Sequence, residues 1–276
     1  MAVTVVLTMA AQPLSGISIK RDKLESNPNG VKLAFEAFLN SGLNVIDLRD
    51  SWIRLEKIES FIKPLRENRS IIVLARFNGI YPSYENIVQQ TLLLKNILGR
   101  PAEVFEIKMP NFFVSLKETL RGLKKALNEG IINSFGLIGW KAGYIKEIYE
   151  EDLLEKLQHV KIDFNALTKN NQLIVKKLQS LKINVFSASP LGGGILTERG
   201  YTSLKNRMIY GCTLNRLKKL SEAKGSSISE IALSLLNFFK VSYAPSTSEP
   251  SHVKGILKSK EIKLNEEDLR TVFNLQ

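Results

Sequence analysis

Cysteine occurs once in the 276 residues, at Cys212, and histidine only twice, at His159 and His252. A single cysteine excludes a disulfide framework and favours a reducing, intracellular setting, so a cytoplasmic protein is expected. Two histidines are too few for a typical zinc site and leave little for a Ser-His-Asp arrangement, so no metal site is expected. No run approaches 18 consecutive apolar residues, which argues against a transmembrane helix. The opening "MAVTVVLTMAAQPLSG" is apolar but lacks the basic start of a signal peptide, and it reads as a first strand.

What is present is a soluble core-forming composition, with 44% hydrophobic and 24% charged residues. Lysine and arginine (39) exceed aspartate and glutamate (27), for a net charge of +12. That excess bears on attraction to anionic partners rather than on fold. Short apolar runs alternate with longer amphipathic stretches. The runs are "VTVVLT", "LNVIDLR", "SIIVLARF", "EVFEIKM", "SFGLIG", "VKIDF", "INVFSAS" and "VSYAP". Between them lie "GVKLAFEAFLNSG", "ENIVQQTLLLKNILG", "SLKETLRGLKKALNEG" and "IYEEDLLEKLQ". Leu116, Leu120, Leu123 and Leu127 recur at three- and four-residue steps, which marks one face of a helix. Eight strand–helix alternations in about 250 residues predict an α/β fold of parallel strands closed as a (β/α)₈ barrel, one domain over residues 1–276. An open doubly wound sheet would want a G-x-G-x-x-G turn after the first strand, and "AQPLSG" does not supply one.

In such barrels the chemistry sits at the C-terminal ends of the strands. Those ends are Asp47 and Arg49, then Arg76, Lys108, Gly139, Asp163 and Ser189. Asp, Arg and Lys closing three successive runs are consistent with a structural ion-pair cluster, or with an anion-binding or catalytic pocket. Composition and spacing leave both open.

The order of motifs resembles the aldo-keto reductases from about residue 30 to the end. "GLNVIDLRDSW" is similar to that family's G-[IV]-N-x-[IF]-D-T-A-x-x-Y, and "LRGLKKALNEGIINSFGLIGW" to its L-x-x-L-x-x-G-K-[IV]-R-x-I-G-V-S-N. "DFNALTKN" resembles Y-N-L-L-x-R, "INVFSASPLGGGILTERG" resembles V-x-A-Y-S-P-L-G-x-G-x-L-T-G, and the tail from "LSEAKGSSISEIAL" onward resembles the family's closing segment. The resemblance implies a barrel that reduces carbonyls with hydride from NADPH, using a tyrosine acid assisted by aspartate, lysine and histidine. Carried across, the aspartate is Asp47, the tyrosine falls on Trp52, the lysine on Arg76 and the histidine on Lys108.

These replacements change the chemistry. A proton donor to a developing alkoxide must titrate, and an indole N–H only donates a hydrogen bond. Arg76 stays protonated under ordinary conditions. Lys108 could titrate if buried, as an acid or in a Schiff base. Tyr81 and Tyr84, after the third strand, are the nearest tyrosines and are read as loop residues.

The family's cofactor positions have drifted as well. Its nicotinamide contacts fall on Ile138, Gly139 and Lys161, its stacking aromatic on Ala188, and its adenine contacts near Gly255 and Ile256. What remains is a phosphate-facing shell of Ser189, Leu191 and Gly192 in "SPLGGG" and Ser246, Thr247 and Ser248 in "APSTS". It would hold a phosphate or a weakly bound nucleotide, or serve only as a turn.

The leading expectation is therefore a non-catalytic reductase-like barrel used for binding or regulation, with no cofactor. Basic clusters in "RGLKKAL", "IVKKLQSLK", "LNRLKKLSEAKG" and "VKGILKSKEIK" point to an anionic partner such as RNA or a ribonucleoprotein. On helices such pairs are more often a solvated face, and no RNA- or DNA-reading motif is visible. Residues 198–213, "ERGYTSLKNRMIYGCT", read as a loop suited to a protein or RNA contact. The alternatives are an NADPH-dependent oxidoreductase with atypical acid chemistry, and an unrelated barrel enzyme acting on an anionic substrate through Asp47, Arg76 and Lys108.

Overall fold

Seven of the eight apolar runs carry a strand, and the strands pair in sequence order. The computed structural model describes residues 13–55, 59–141 and 143–273. Its strands are β1 (Gly16–Ser18), β2 (Val45–Arg49), β3 (Ile72–Arg76), β4 (Val104–Lys108), β5 (Phe135–Ile138), β6 (Leu157–Ile162), β7 (Asn184–Ser187) and β8 (Ser242–Tyr243). All seven consecutive pairings are parallel. The barrel closes where β1 meets β8, through bridges Ser15↔Tyr243 and Ser18↔Ser246. There the Tyr243 N–H donates to Leu14 O and the Ser18 N–H to Pro245 O, both at 3.0 Å. The run Val3–Thr8, expected as the first strand, lies outside the described residues; Gly16–Ser18 takes that place in the barrel. Gly16 suits it because a Cβ there would lie 1.7 Å from Val45 O.

The helices form where capping and an apolar stripe coincide. Ser115 accepts from the Glu118 N–H to open Leu116–Asn128, whose buried face carries Leu116, Leu120 and Leu123. Ser83 caps Tyr84–Leu98, and Gly99 ends it in the left-handed region. Ser227 and Glu230 form a capping box at the start of Ile228–Phe238.

Two local expectations are corrected. "IYEEDLLEKLQ" is not one helix: the helix is Tyr144–Glu150, Asp152 turns the chain with φ 60°, and β6 begins at Leu157. Residues 198–213 are not a loop: Glu198–Thr202 and Leu204–Ala223 are helices, capped by the side chains of Thr197 and Ser203.

The core has two principal layers. Outward strand residues such as Ile46, Leu48, Val73, Ala75 and Ile107 pack under the helices. Inward residues Val45, Ile72, Leu74, Val104, Phe186 and Ala244 fill the bottom of the barrel. Among the described residues, no helix is long and apolar enough to cross a membrane.

Candidate functional site

Above the apolar floor the barrel interior becomes ionic. Asp47, Glu106, His159 and Lys161 are all buried. Lys161 Nζ lies 2.9 Å from Asp47 Oδ2 and 2.6 Å from Glu106 Oε1. It also sits 4.8 Å from the Phe186 ring centroid, on the floor below. His159 Nε2 donates to Glu106 Oε1 at 2.8 Å, the direction an ionised, acceptor-only carboxylate requires. Gly136 on β5 makes this possible, since a Cβ there would fall 2.7 Å from His159 Nε2. Burial by itself would raise the Glu106 pKa. The Lys161 charge, the hydrogen bond and charge of His159, and the charge of Arg76 outweigh it and hold Glu106 well below the usual carboxylate range.

The chain end of β2 is irregular. The register slips between Asp47 and Arg49, and Arg49 adopts φ 51°. Asp47 Oδ1 accepts from the Arg49 N–H at 2.9 Å and locks that turn. One carboxylate therefore holds both Lys161 and the strand terminus.

Of the four positions onto which the resemblance carries the reductase tetrad, two join this cluster. Asp47 lies at its centre. Arg76, with 23% of its side chain exposed, places Nε 4.0 Å from Glu106 Oε2. Trp52 does not join. It is wholly buried in the outer apolar layer, and its indole N–H donates to Arg76 O at 2.8 Å. Lys108 is exposed and forms no ion pair among the described residues, so it lacks the buried setting that an acid or a Schiff-base role was expected to need. Tyr81 stacks on Phe113 and Tyr84 opens a helix, so neither supplies a phenol to the cluster.

Sequence reasoning missed Glu106 and His159, and it assigned Lys161 to a nicotinamide contact rather than to Asp47. A signal existed. In a strand, alternate residues face one side, so Glu106, two residues before Lys108, faces inward with it. A charge in the middle of "VFEIK" demands a buried partner.

The cofactor positions divide. Ser246 Oγ is buried without a hydrogen-bond partner beside Ser18 Oγ, which is equally unsatisfied. Gly192, Gly193 and Gly194 form a turn with φ of 56°, 69° and 97°. Ser189 gives its carbonyl to Asn165 Nδ2 at 2.8 Å, and Leu191 packs half-buried against the core. Thr247 Oγ1 is engaged by the Glu249 N–H at 3.0 Å and by His252 Nδ1 at 2.8 Å, while Ser248 is half-buried. The orphaned hydroxyls suit a phosphate-bearing group. The nicotinamide positions do not fit: Lys161 is consumed by two carboxylates, Ala188 offers no ring and Gly139 has no side chain; at the adenine positions, Ile256 is packed in the core.

Residues 16–275 match the sequence model described as the aldo/keto reductase family. No curated protein sequence matches the chain. Solved structures with the same fold include an aldose reductase from Giardia lamblia, 20% identical over 96% of this chain and 92% of that one, with a TM-score of 0.76. An aldose reductase from Schistosoma japonicum is 17% identical over 95% and 88%, with a TM-score of 0.75. A glycerol dehydrogenase from Gluconobacter oxydans is 16% identical over 94% and 90%, with a TM-score of 0.78. At these identities the likeness establishes the fold.

Proposed function

The chain belongs to the aldo/keto reductase family, and from that premise we propose that it is a non-catalytic member, a barrel that binds an anionic ligand or partner rather than reducing carbonyls. One observation carries the reading: Trp52, onto which the resemblance carries the acid, faces the outer layer and gives its indole N–H to the Arg76 carbonyl. Neither Tyr81 nor Tyr84 replaces it. Asp47, Glu106, His159 and Lys161 are engaged with one another below the mouth, and a guanidinium does not shuttle protons. The misfit of the nicotinamide positions supports the absence of a hydride donor.

The binding half of the proposal rests on charge. The net excess of +12 attracts anions, and RNA or a ribonucleoprotein is the macromolecular partner it favours. The test is a titration of the purified chain with NADPH and NADH at low and moderate salt, followed by a carbonyl turnover assay. The expected result is no salt-tolerant, saturable binding and no turnover. Tight binding with turnover would restore the alternative of an oxidoreductase with atypical acid chemistry.

A further inference from the structure

Helix Leu204–Ala223 is apolar on two sides. Its inner side, Leu214, Leu217 and Leu220, is buried in the core it shares with Ile228–Phe238. Its outer side carries Leu204, Met208 and Ile209, exposed at 73%, 79% and 61%. Leu204 and Met208 lie one turn apart with Ile209 beside them, so the three share one broad outward face. Folding accounts for the inner side only.

The outward face is held by a fixed frame. Thr197 caps Glu198–Thr202, and Ser203 caps the long helix. Asn206 Nδ2 donates to Gly200 O at 3.0 Å and ties the two helices together. Gly200 is buried at that junction, where a Cβ would fall 2.1 Å from Ile195 O.

Charge around the face has one sign. Residues 199–221 contain Arg199, Lys205, Arg207, Arg216, Lys218 and Lys219 and no aspartate or glutamate. Lys218 pairs with Glu222 at 3.0 Å, and the other five form no ion pair among the described residues. Glu198, just before the segment, gives a carboxylate oxygen to the Ile228 N–H at 2.5 Å.

These features select among occupants. A symmetric contact between two copies would set Lys205 and Arg207 against their own counterparts, with no acid in the segment to offset them. RNA bases stack on open aromatic faces. Here Tyr201 lies under Arg207, 5.7 Å from ring centroid to guanidinium, and Tyr210 packs half-buried against the core. An anionic lipid surface fits both halves of the pattern. Aliphatic side chains enter the acyl boundary while lysine and arginine reach back to the headgroups.

We propose that the face formed by Leu204, Met208 and Ile209 docks on an anionic lipid bilayer, as a peripheral contact that spans nothing. The proposal goes beyond the anion binding inferred from net charge, because insertion of apolar side chains carries it. It stands whether or not the barrel reduces carbonyls.

Sedimentation of the full chain with two kinds of vesicle tests it, beside binding to polyuridylate. One is phosphatidylcholine alone, the other equimolar phosphatidylcholine and phosphatidylserine. The mixed vesicles should carry the protein down at low and moderate salt, and the neutral ones at least ten-fold more weakly. Met208→Gln and Leu204→Gln, at exposed side chains, should each weaken vesicle binding several-fold, with Tm and polyuridylate binding unchanged. Lys205→Gln should weaken it at low salt and less at moderate salt. Leu173→Gln, at a leucine 78% exposed on another helix, should change nothing. No binding to the mixed vesicles, or binding that survives both Met208→Gln and Leu204→Gln, would overturn the proposal. So would equal losses of vesicle and polyuridylate binding in those two variants. A dimer of the free chain that Met208→Gln dissolves would also overturn it, by naming a second copy as the occupant.

Discussion

Lys161 Nζ stands 2.9 Å from Asp47 Oδ2, across 114 residues of chain and inside the barrel. The resemblance to reductases put the family's lysine at the end of β3, on Arg76. The structure supplies it from β6 instead, and Lys161 bridges Asp47 to Glu106. Lys161 shares its one charge between both carboxylates below the mouth, and Arg76 adds a second cation 4.0 Å from Glu106 Oε2.

Removing that bridge should be costly. Lys161→Met leaves Asp47 and Glu106 buried beside each other with their shared cation gone, and breaking a buried pair costs about 3–5 kcal/mol. Urea unfolding at neutral pH should show a loss of that size. A loss under about 1 kcal/mol would mean that water already solvates the cluster.

The same cluster should shape the acid limb of stability. Glu106 has a lowered pKa in the folded chain, so its contribution is fully present above its unfolded value of about 4.3 and is lost as pH falls below that. Glu106→Gln should therefore lower stability at pH 7 yet flatten its fall between roughly pH 5 and 3. Parallel acid limbs for the two proteins would count against the assignment.

A phenol at position 52, where the resemblance puts the family's acid, should not restore a reductase. Trp52→Tyr would place a hydroxyl in the outer apolar layer and shrink a wholly buried ring. A loss of about 1–3 kcal/mol is expected from the cavity and the altered hydrogen bond to Arg76 O. NADPH-dependent carbonyl turnover should stay at background. Turnover above that would show that residue 52 reaches the interior.

Gly136→Ala should disturb the site without adding charge. The new methyl would lie 2.7 Å from His159 Nε2, so the imidazole must move off Glu106. Overpacking of this kind costs about 1–3 kcal/mol. Thermal unfolding together with the His159 imidazole NMR shifts would report it; an unshifted ring would show that β5 yields instead.

Much of the barrel was legible beforehand. Seven of the eight apolar runs became strands, and the leucine stripe of Leu116–Asn128 buried the face it marked. The misreadings were local. "EDLLEK" looked helical because its leucines have helical spacing, yet Asp152 turns left-handed and Leu153 packs inward as the chain heads for β6. Arg49, Arg76 and Lys108 do end their strands, but which way each side chain turned was not readable. Glu106 and His159 passed unnoticed because a lone charge or imidazole within an apolar run declares no partner.

The sequence by itself determined the strand and helix segments, their parallel order and the cations that end the first strands. These follow from periodicity, capping and chain length, all of which act over a few neighbouring residues. Only the tertiary structure decided that Asp47 meets Lys161 rather than Arg76, that Trp52 turns away from the mouth, and that Arg49 takes a left-handed turn. Barrel closure brings β2, β4 and β6 around one interior, and the low dielectric there pairs charges by proximity across the fold rather than along the chain.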